Sequence, residues 1–211
     1  VPTADRAAGN RVFLEHANVL RKNDTDSFMI LVDSLKFTKG PMMMFRDSCH
    51  YYAETESMEA FGNVRMEQGD TLFVYADELN YADSTQLAIL YADPGKKVRL
   101  INKDVTLTTD VFNYDMGIEL GYYEVGGVLT DKENRLDSWY GEYSPSSKDA
   151  LFKENVHLNS LGENDTLDIY TEEMLYNTLT HIAILDTTST IISADGTIYT
   201  TSGVYNTETS Q

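Results

Sequence analysis

Cys49-His50 is the one place in the chain where a nucleophile and a base stand side by side. Neighbours on a strand point to opposite faces, so an extended backbone would keep the two apart. The thiol therefore reads as a buried or half-buried free cysteine. The four histidines, His16, His50, His157 and His181, are scattered without ligand spacing, and a metal site would have to assemble across strands. The densest acidic clusters, Asp131-Lys132-Glu133-Asn134 and Asp24 to Asp26, match neither the EF-hand pattern nor the glycine-rich calcium repeat. They fall where turns are expected and read as solvated turn carboxylates. Trp139, with Tyr140 and Tyr143, could stack on a sugar ring, but packing on a sheet is the simpler use of that indole. The sequence holds no G-x-S-x-G elbow, H-E-x-x-H pair, phosphate loop or dinucleotide fingerprint. No catalytic residue, cofactor or metal is expected, and the chain reads as a non-enzyme.

Composition narrows the partners. The 211 residues carry 34 acidic against 16 basic side chains, a formal net charge of −18. Such a field repels nucleic acid and any polyanion that needs a broad basic surface. Fourteen tyrosines and eight phenylalanines are too many for an acidic disordered chain. A single cysteine rules out an intrachain disulfide framework. No apolar run approaches the ~18 residues that a helical membrane span needs.

The elements that would position any site are strands. Short alternating runs recur at Val12 to Leu14, Phe28 to Val32, Thr71 to Ala76, Val98 to Ile101, Val105 to Leu107, Thr166 to Tyr170, Ile182 to Leu185 and Thr197 to Thr200. Turn clusters separate them, among them Gln68-Gly69-Asp70, Asp93-Pro94-Gly95, Gly162-Glu163-Asn164 and Asp195-Gly196. No helix of useful length is expected; Glu54 to Phe61 and Ser144 to Phe152 read as equivalent polar loops. Within Leu72 to Ala76, Leu72, Val74 and Ala76 share one face, and Phe73 and Tyr75 the other. Asp77-Glu78 breaks the alternation before Leu79 and Tyr81 resume it, which predicts a kink or bulge.

The chain also repeats itself. Asp70 to Tyr81 lies over Asp165 to Tyr176 without a gap, and the match runs on to Ala88-Ile89-Leu90 over Ala183-Ile184-Leu185. Upstream, Asn63-Val64 falls on Asn155-Val156, Phe61 on Phe152 and Tyr52 on Tyr143. Downstream, Leu107-Thr108-Thr109 falls on Tyr199-Thr200-Thr201. A weaker echo opens the chain with Asn18-Val19, Asp26-Ser27-Phe28 and Asp33 to Phe37. The reading is one domain over residues 1–211, with internal repeats at about 37–123 and 132–207 and a partial repeat at 11–37, as part of a longer chain. Its fold is all-β: an open, twisted antiparallel β-jelly-roll built from tandem strand-hairpin repeats.

Gly62-Asn63-Val64 with Tyr75 to Tyr81, and Asn155-Val156 with Tyr170 to Tyr176, resemble the OstA-like (LptA-like) family. So does Leu107 to Asp110 followed by Gly121-Tyr122-Tyr123. The resemblance runs from about Arg11 onward, with Glu154 where the family has the glycine of Gly-Asn-Val. It implies periplasmic lipopolysaccharide transport, with a leader before Val1 taken as removed and an association with the outer membrane. Acyl chains would be sheltered in an apolar groove and passed on by head-to-tail β-edge contacts. The implied partners are lipopolysaccharide, related jelly-roll domains of inner- and outer-membrane transport components, and sister copies of the chain. The groove residues expected are Val64, Met66, Leu72, Val74, Leu79 and Tyr81, with Val156, Leu158, Leu167, Ile169, Met174 and Tyr176. Lipid carriage predicts a dry groove along the whole sheet; the competing reading is a non-catalytic structural or adhesive cell-surface β-repeat.

Overall fold

A computed structural model describes residues 12–16, 19–22, 28–161 and 166–207. Its twenty strands pair antiparallel throughout, and no helix forms among the described residues. Six are long: β3 (Met29–Lys39), β4 (Met42–Tyr52), β5 (Ser57–Gln68), β6 (Leu72–Ala82), β15 (Asp149–Leu161) and β16 (Thr166–Asn177). Each of the six bends midway, so that one half lies in each of two facing layers.

Short strands complete the layers. Layer I adds β1 (Phe13–His16), β8 (Val98–Asn102), β9 (Val105–Thr109), β12 (Gly127–Thr130), β13 (Asn134–Ser138), β18 (Ser189–Ser193) and β19 (Gly196–Thr200). Layer II adds β2 (Val19–Lys22), β7 (Leu87–Tyr91), β10 (Val111–Asp115), β11 (Leu120–Tyr123), β14 (Tyr140–Tyr143), β17 (Ile182–Leu185) and β20 (Gly203–Asn206). The division is seen in β6, whose first half pairs with β8 and whose second half pairs with β7. The result is an antiparallel β-jelly-roll, stacked strand by strand from β1 and β2 to β19 and β20. Among the described residues, only those end strands leave an edge unpaired.

The bends are bulges of one design. Between β5 and β6 the register passes over Gly62 and Asn63 on one strand against Asp77 on the other. Between β15 and β16 it passes over Glu154 and Asn155 against Glu172. The extra residue turns the strand from one layer into the other. All four residues on the bulged side are left-handed, with φ of 72° at Gly62, 45° at Asn63, 63° at Glu154 and 56° at Asn155. Asn tolerates that region and Gly enters it freely, but Glu154 is strained there. The Asn-Val element read from the sequence is thus the corner of the fold, and the break at Asp77-Glu78 is its other half.

Pairing registers also correct the sequence reading. Phe61 pairs with Glu78 and Lys153 with Glu173, so Lys153 is the counterpart of Phe61, and Phe152 of Ala60. Likewise Tyr143 corresponds to Tyr51, and Ile198 to Leu107. Each is a slip of one residue, enough to move a side chain to the opposite face. Ser57 to Phe61 and Asp149 to Phe152 are strand, not loop; their turns are confined to 53–56 and 144–148. The inward residues Met58, Ala60, Ala150 and Phe152 alternate with outward Ser57, Glu59 and Asp149, and those polar positions give both segments their polar look. Arg11, Asn18, the Asp24 to Asp26 cluster, Ser27, the Gly162 to Asn164 turn and Asp165 lie outside the described residues.

Candidate functional site

The twelve expected groove residues meet in one interior. Val64, Met66, Leu72, Val74, Val156, Leu158, Leu167 and Ile169 face inward from layer I. Leu79, Tyr81, Met174 and Tyr176 face them from layer II. None is more than 7% exposed. They belong to a continuous apolar core running from Leu31 to Leu185. The chain's own side chains fill this interior, and the groove expected along the sheet is not open in this structure. At the β1 end a small apolar cavity of about 110 Å³ remains, lined by Leu31, Phe37 and Tyr51 among others.

Layer II carries a pattern that strand-by-strand reading missed. Across its strands the inward positions run Tyr51, Met58, Tyr81, Ala88, Tyr114, Gly121, Tyr143, Ala150, Tyr176, Ala183 and Tyr205 in direct register. A tyrosine stands on every second strand, with a smaller or flexible side chain between. At Gly121 the small residue is required by a neighbour outside the row: a Cβ there would lie 2.3 Å from the Phe112 ring. The Tyr123 ring is accommodated by Gly141, beside it in layer II, and by Gly127, across from it in layer I.

The four central tyrosines reach the rim of layer I. Asn102 donates to the Tyr143 hydroxyl at 3.0 Å, and Asn134 to the Tyr176 hydroxyl at 3.1 Å. Tyr114 donates to Gln68 at 3.4 Å. Tyr81 donates to Asp83 at 2.7 Å, and Lys39 of layer I meets the same carboxylate at 3.2 Å. Tyr176 is the most elaborate, donating also to Asp131 at 2.5 Å, with His181 Nδ1 at 3.2 Å. Burial pushes all four phenols above their ordinary value, with Asp83, Glu119 and Asp131 adding to the rise at Tyr81, Tyr114 and Tyr176. They stay protonated and able to donate.

The two long edges of the stack therefore differ in kind. Along one, the backbone of six long strands passes from layer to layer. Along the other, each described hairpin stays within its own layer, and the polar contacts between layers there, among the described residues, are bonds made by side chains. One edge is a hinge of main chain; the other is a row of latches.

The remaining chemistry falls as strand geometry dictates. Cys49 is fully buried, and its thiol is pushed up to about 11 by burial, opposed by nearby Arg46. His50 points the other way, its ring tilted against that of Phe28 with centres 4.6 Å apart. His157 lies on the outer face against Tyr170 at 4.4 Å and bonds Asp168 at 2.7 Å. Asp131 is a turn carboxylate, but far from being solvated its side chain is only 2% exposed, bridging the latch at Tyr176. Trp139 does not pack on the sheet: it sits at the hinge edge between β13 and β14, 56% exposed. No described helix is long and apolar enough to cross a membrane.

The sequence model of the family described as OstA-like protein matches residues 9–162. A search of curated proteins found no match.

Proposed function

The chain belongs to the OstA-like family, a transport family, and from that premise we propose that it is a periplasmic, non-enzymatic carrier of lipopolysaccharide. Acyl chains enter between the layers when the latched edge parts about the hinge. The observation that supports this is the difference between the edges: an unbroken apolar interior lies behind a rim closed by side chains alone. Two neutral latches at ~0.5–1.5 kcal/mol and two to carboxylates at ~1.5–3 kcal/mol are a modest barrier beside ~0.8 kcal/mol for each of the many lipid CH₂ groups sheltered from water. The apolar contacts that the layers give up are replaced by contacts with the lipid. At the ends of the stack, Ile198 and Tyr199 on β19 and Val204 on β20 are 60%, 78% and 70% exposed beside open strand edges. That arrangement suits β-augmentation by a sister copy or a related jelly-roll domain.

The test is a photoreactive residue at Val74 or Ile169, inside the stack, with a control at outward-facing Arg99, in the presence of lipopolysaccharide. Cross-links from the interior positions and not from the control are expected. Their absence would leave the filled core as plain sandwich core, which favours the structural or adhesive β-repeat reading. Head-to-tail pairing is tested separately, as a size in solution that grows with concentration.

A further inference from the structure

One charged side chain is folded into the interior. Arg46 stands on β4 in register with Leu35 of β3, at the bend where both strands pass between the layers. It is 3% exposed, and its guanidinium lies 4.2 Å from the centre of the ring of Phe37, a core residue. Its titratable neighbour is Cys49, a neutral thiol at ordinary pH because burial raises it to about 11. Burial pulls the guanidinium itself down only to about 10, so it is charged at neutral pH. None of its three side-chain nitrogens has a hydrogen-bond partner.

The Phe37 face meets part of the charge. The N–H groups lie in the guanidinium plane and stay unmet, which is costly in a dry interior. A bare hydrocarbon entering between the layers would leave that cost in place, whereas a chain carrying an acceptor oxygen removes it. Phe37 also lines the apolar cavity of about 110 Å³ at the β1 end, with Leu31 and Tyr51. That void is somewhat smaller than apolar cavities that take up a benzene ring, and is suited to a short stretch of chain. One aromatic ring thus borders both a space for methylene groups and a fork of unmet donors.

We propose that Arg46 selects acylated lipid, donating to the carbonyl oxygen of an ester or amide linkage when a chain lies between the layers at the β1 end. This rests on the carrier reading above and adds the group by which the lipid is told from bare hydrocarbon. A neutral carbonyl fits better than a carboxylate or phosphate, because it sheds less hydration on entering. An anion would also find no second cation to share it: Lys39, the other buried cation among the described residues, is engaged by Asp83 at 3.2 Å.

The test is calorimetric titration of the whole chain with 1-lauroyl-lysophosphatidylcholine and with its ether-linked 1-dodecyl analogue, both below their micelle concentrations. The two share chain length and head group, and only the first has a carbonyl. Wild type is expected to bind the ester about tenfold more tightly, the effect of one hydrogen bond from a charged donor. Arg46→Met keeps an unbranched side chain without charge or donors. It is expected to bind both lipids alike, and its urea midpoint to rise, since an unpaired buried charge is gone. A merely structural Arg46 would instead lower the midpoint and leave the ester preference intact, which overturns the proposal. The carbonyl stretch of the ester bound to wild type is the second measurement. It falls to lower frequency where a charged donor bonds the oxygen, and a stretch unchanged from that in hydrocarbon overturns the proposal even where Arg46→Met fails to fold. Equal binding of the two lipids by wild type, or binding of neither, overturns it as well. The carrier reading stands or falls separately, on the lipopolysaccharide cross-links from Val74 and Ile169.

Discussion

Tyr176→Phe removes one oxygen from the most connected latch and leaves the ring in place. In the wild type that oxygen donates to Asp131 Oδ2 at 2.5 Å and accepts from Asn134 at 3.1 Å. Asn134 keeps its bonds to Asp131 and Thr207. Asp131 Oδ1 keeps the amides of Glu133 and Asn134. What is stripped is Oδ2 of a carboxylate whose side chain is 2% exposed, left with His181 Nδ1 at 3.7 Å. A hydrogen bond to a charged group contributes ~1.5–3 kcal/mol, so the substitution should cost about 2 kcal/mol. At ~2–4 °C per kcal/mol for a chain of this size, the melting temperature should fall by about 4–8 °C. Urea unfolding of Tyr176→Phe, Asp131→Asn and the double variant gives the coupling between the two residues free of their other contacts. If the latch also gates entry, the same 2 kcal/mol should raise lipid cross-linking at Ile169 by roughly 30-fold, provided it acts on the closed state alone. A coupling below about 0.5 kcal/mol would refute the latch, since distant, independent sites already add to within that margin. A lost coupling energy with unchanged cross-linking would keep the latch and refute the gate.

Glu154→Gly should stabilise the chain by about 0.5–1 kcal/mol in thermal or urea unfolding, because a left-handed Glu costs ~1–2 kcal/mol and glycine's extra freedom returns part of that. Gly121→Ala should destabilise by about 1–3 kcal/mol, as its Cβ would meet the Phe112 ring at 2.3 Å; a neutral result would mean that the row of alternating sizes is looser than drawn. Asp168 is held below the ordinary carboxylate range by hydrogen bonds from His157 and Asn159, so its contribution is full above the unfolded pKa near ~3.9 and is lost as pH falls through the folded value. Asp168→Asn should therefore be less stable than wild type at pH 7 and converge with it in acid, measured as urea midpoints across pH. Cys49, buried and with its thiol raised to about 11, should resist a thiol reagent at pH 8 until the chain unfolds; rapid labelling of native protein would show that the layers part readily even without lipid.

Strand character, the corner at Asp77-Glu78 and the apolar set destined for the interior were legible in the sequence, because each rests on spacing within a single strand. Register was not. Phe61 was laid on Phe152 because both are aromatic, yet one faces out and the other in; only pairing with β6 and β16 distinguishes them. The tyrosine row had a signal of its own: Tyr81, Tyr114, Tyr143 and Tyr176 stand 33, 29 and 33 residues apart, a near-regular spacing, but only strand pairing shows that they share one row.

The acidity of the chain bears on the interior as well. A net charge of −18 repels anions at a distance, which excludes a polyanion lying along the surface. That repulsion is long-ranged and is screened beyond roughly 8–10 Å at moderate salt. An apolar core behind polar latches rejects water and charged groups, and yields only to a chain apolar enough to replace the contacts that it displaces. An anionic amphiphile taken up there would therefore be held through its hydrocarbon, with its charged end left facing solvent.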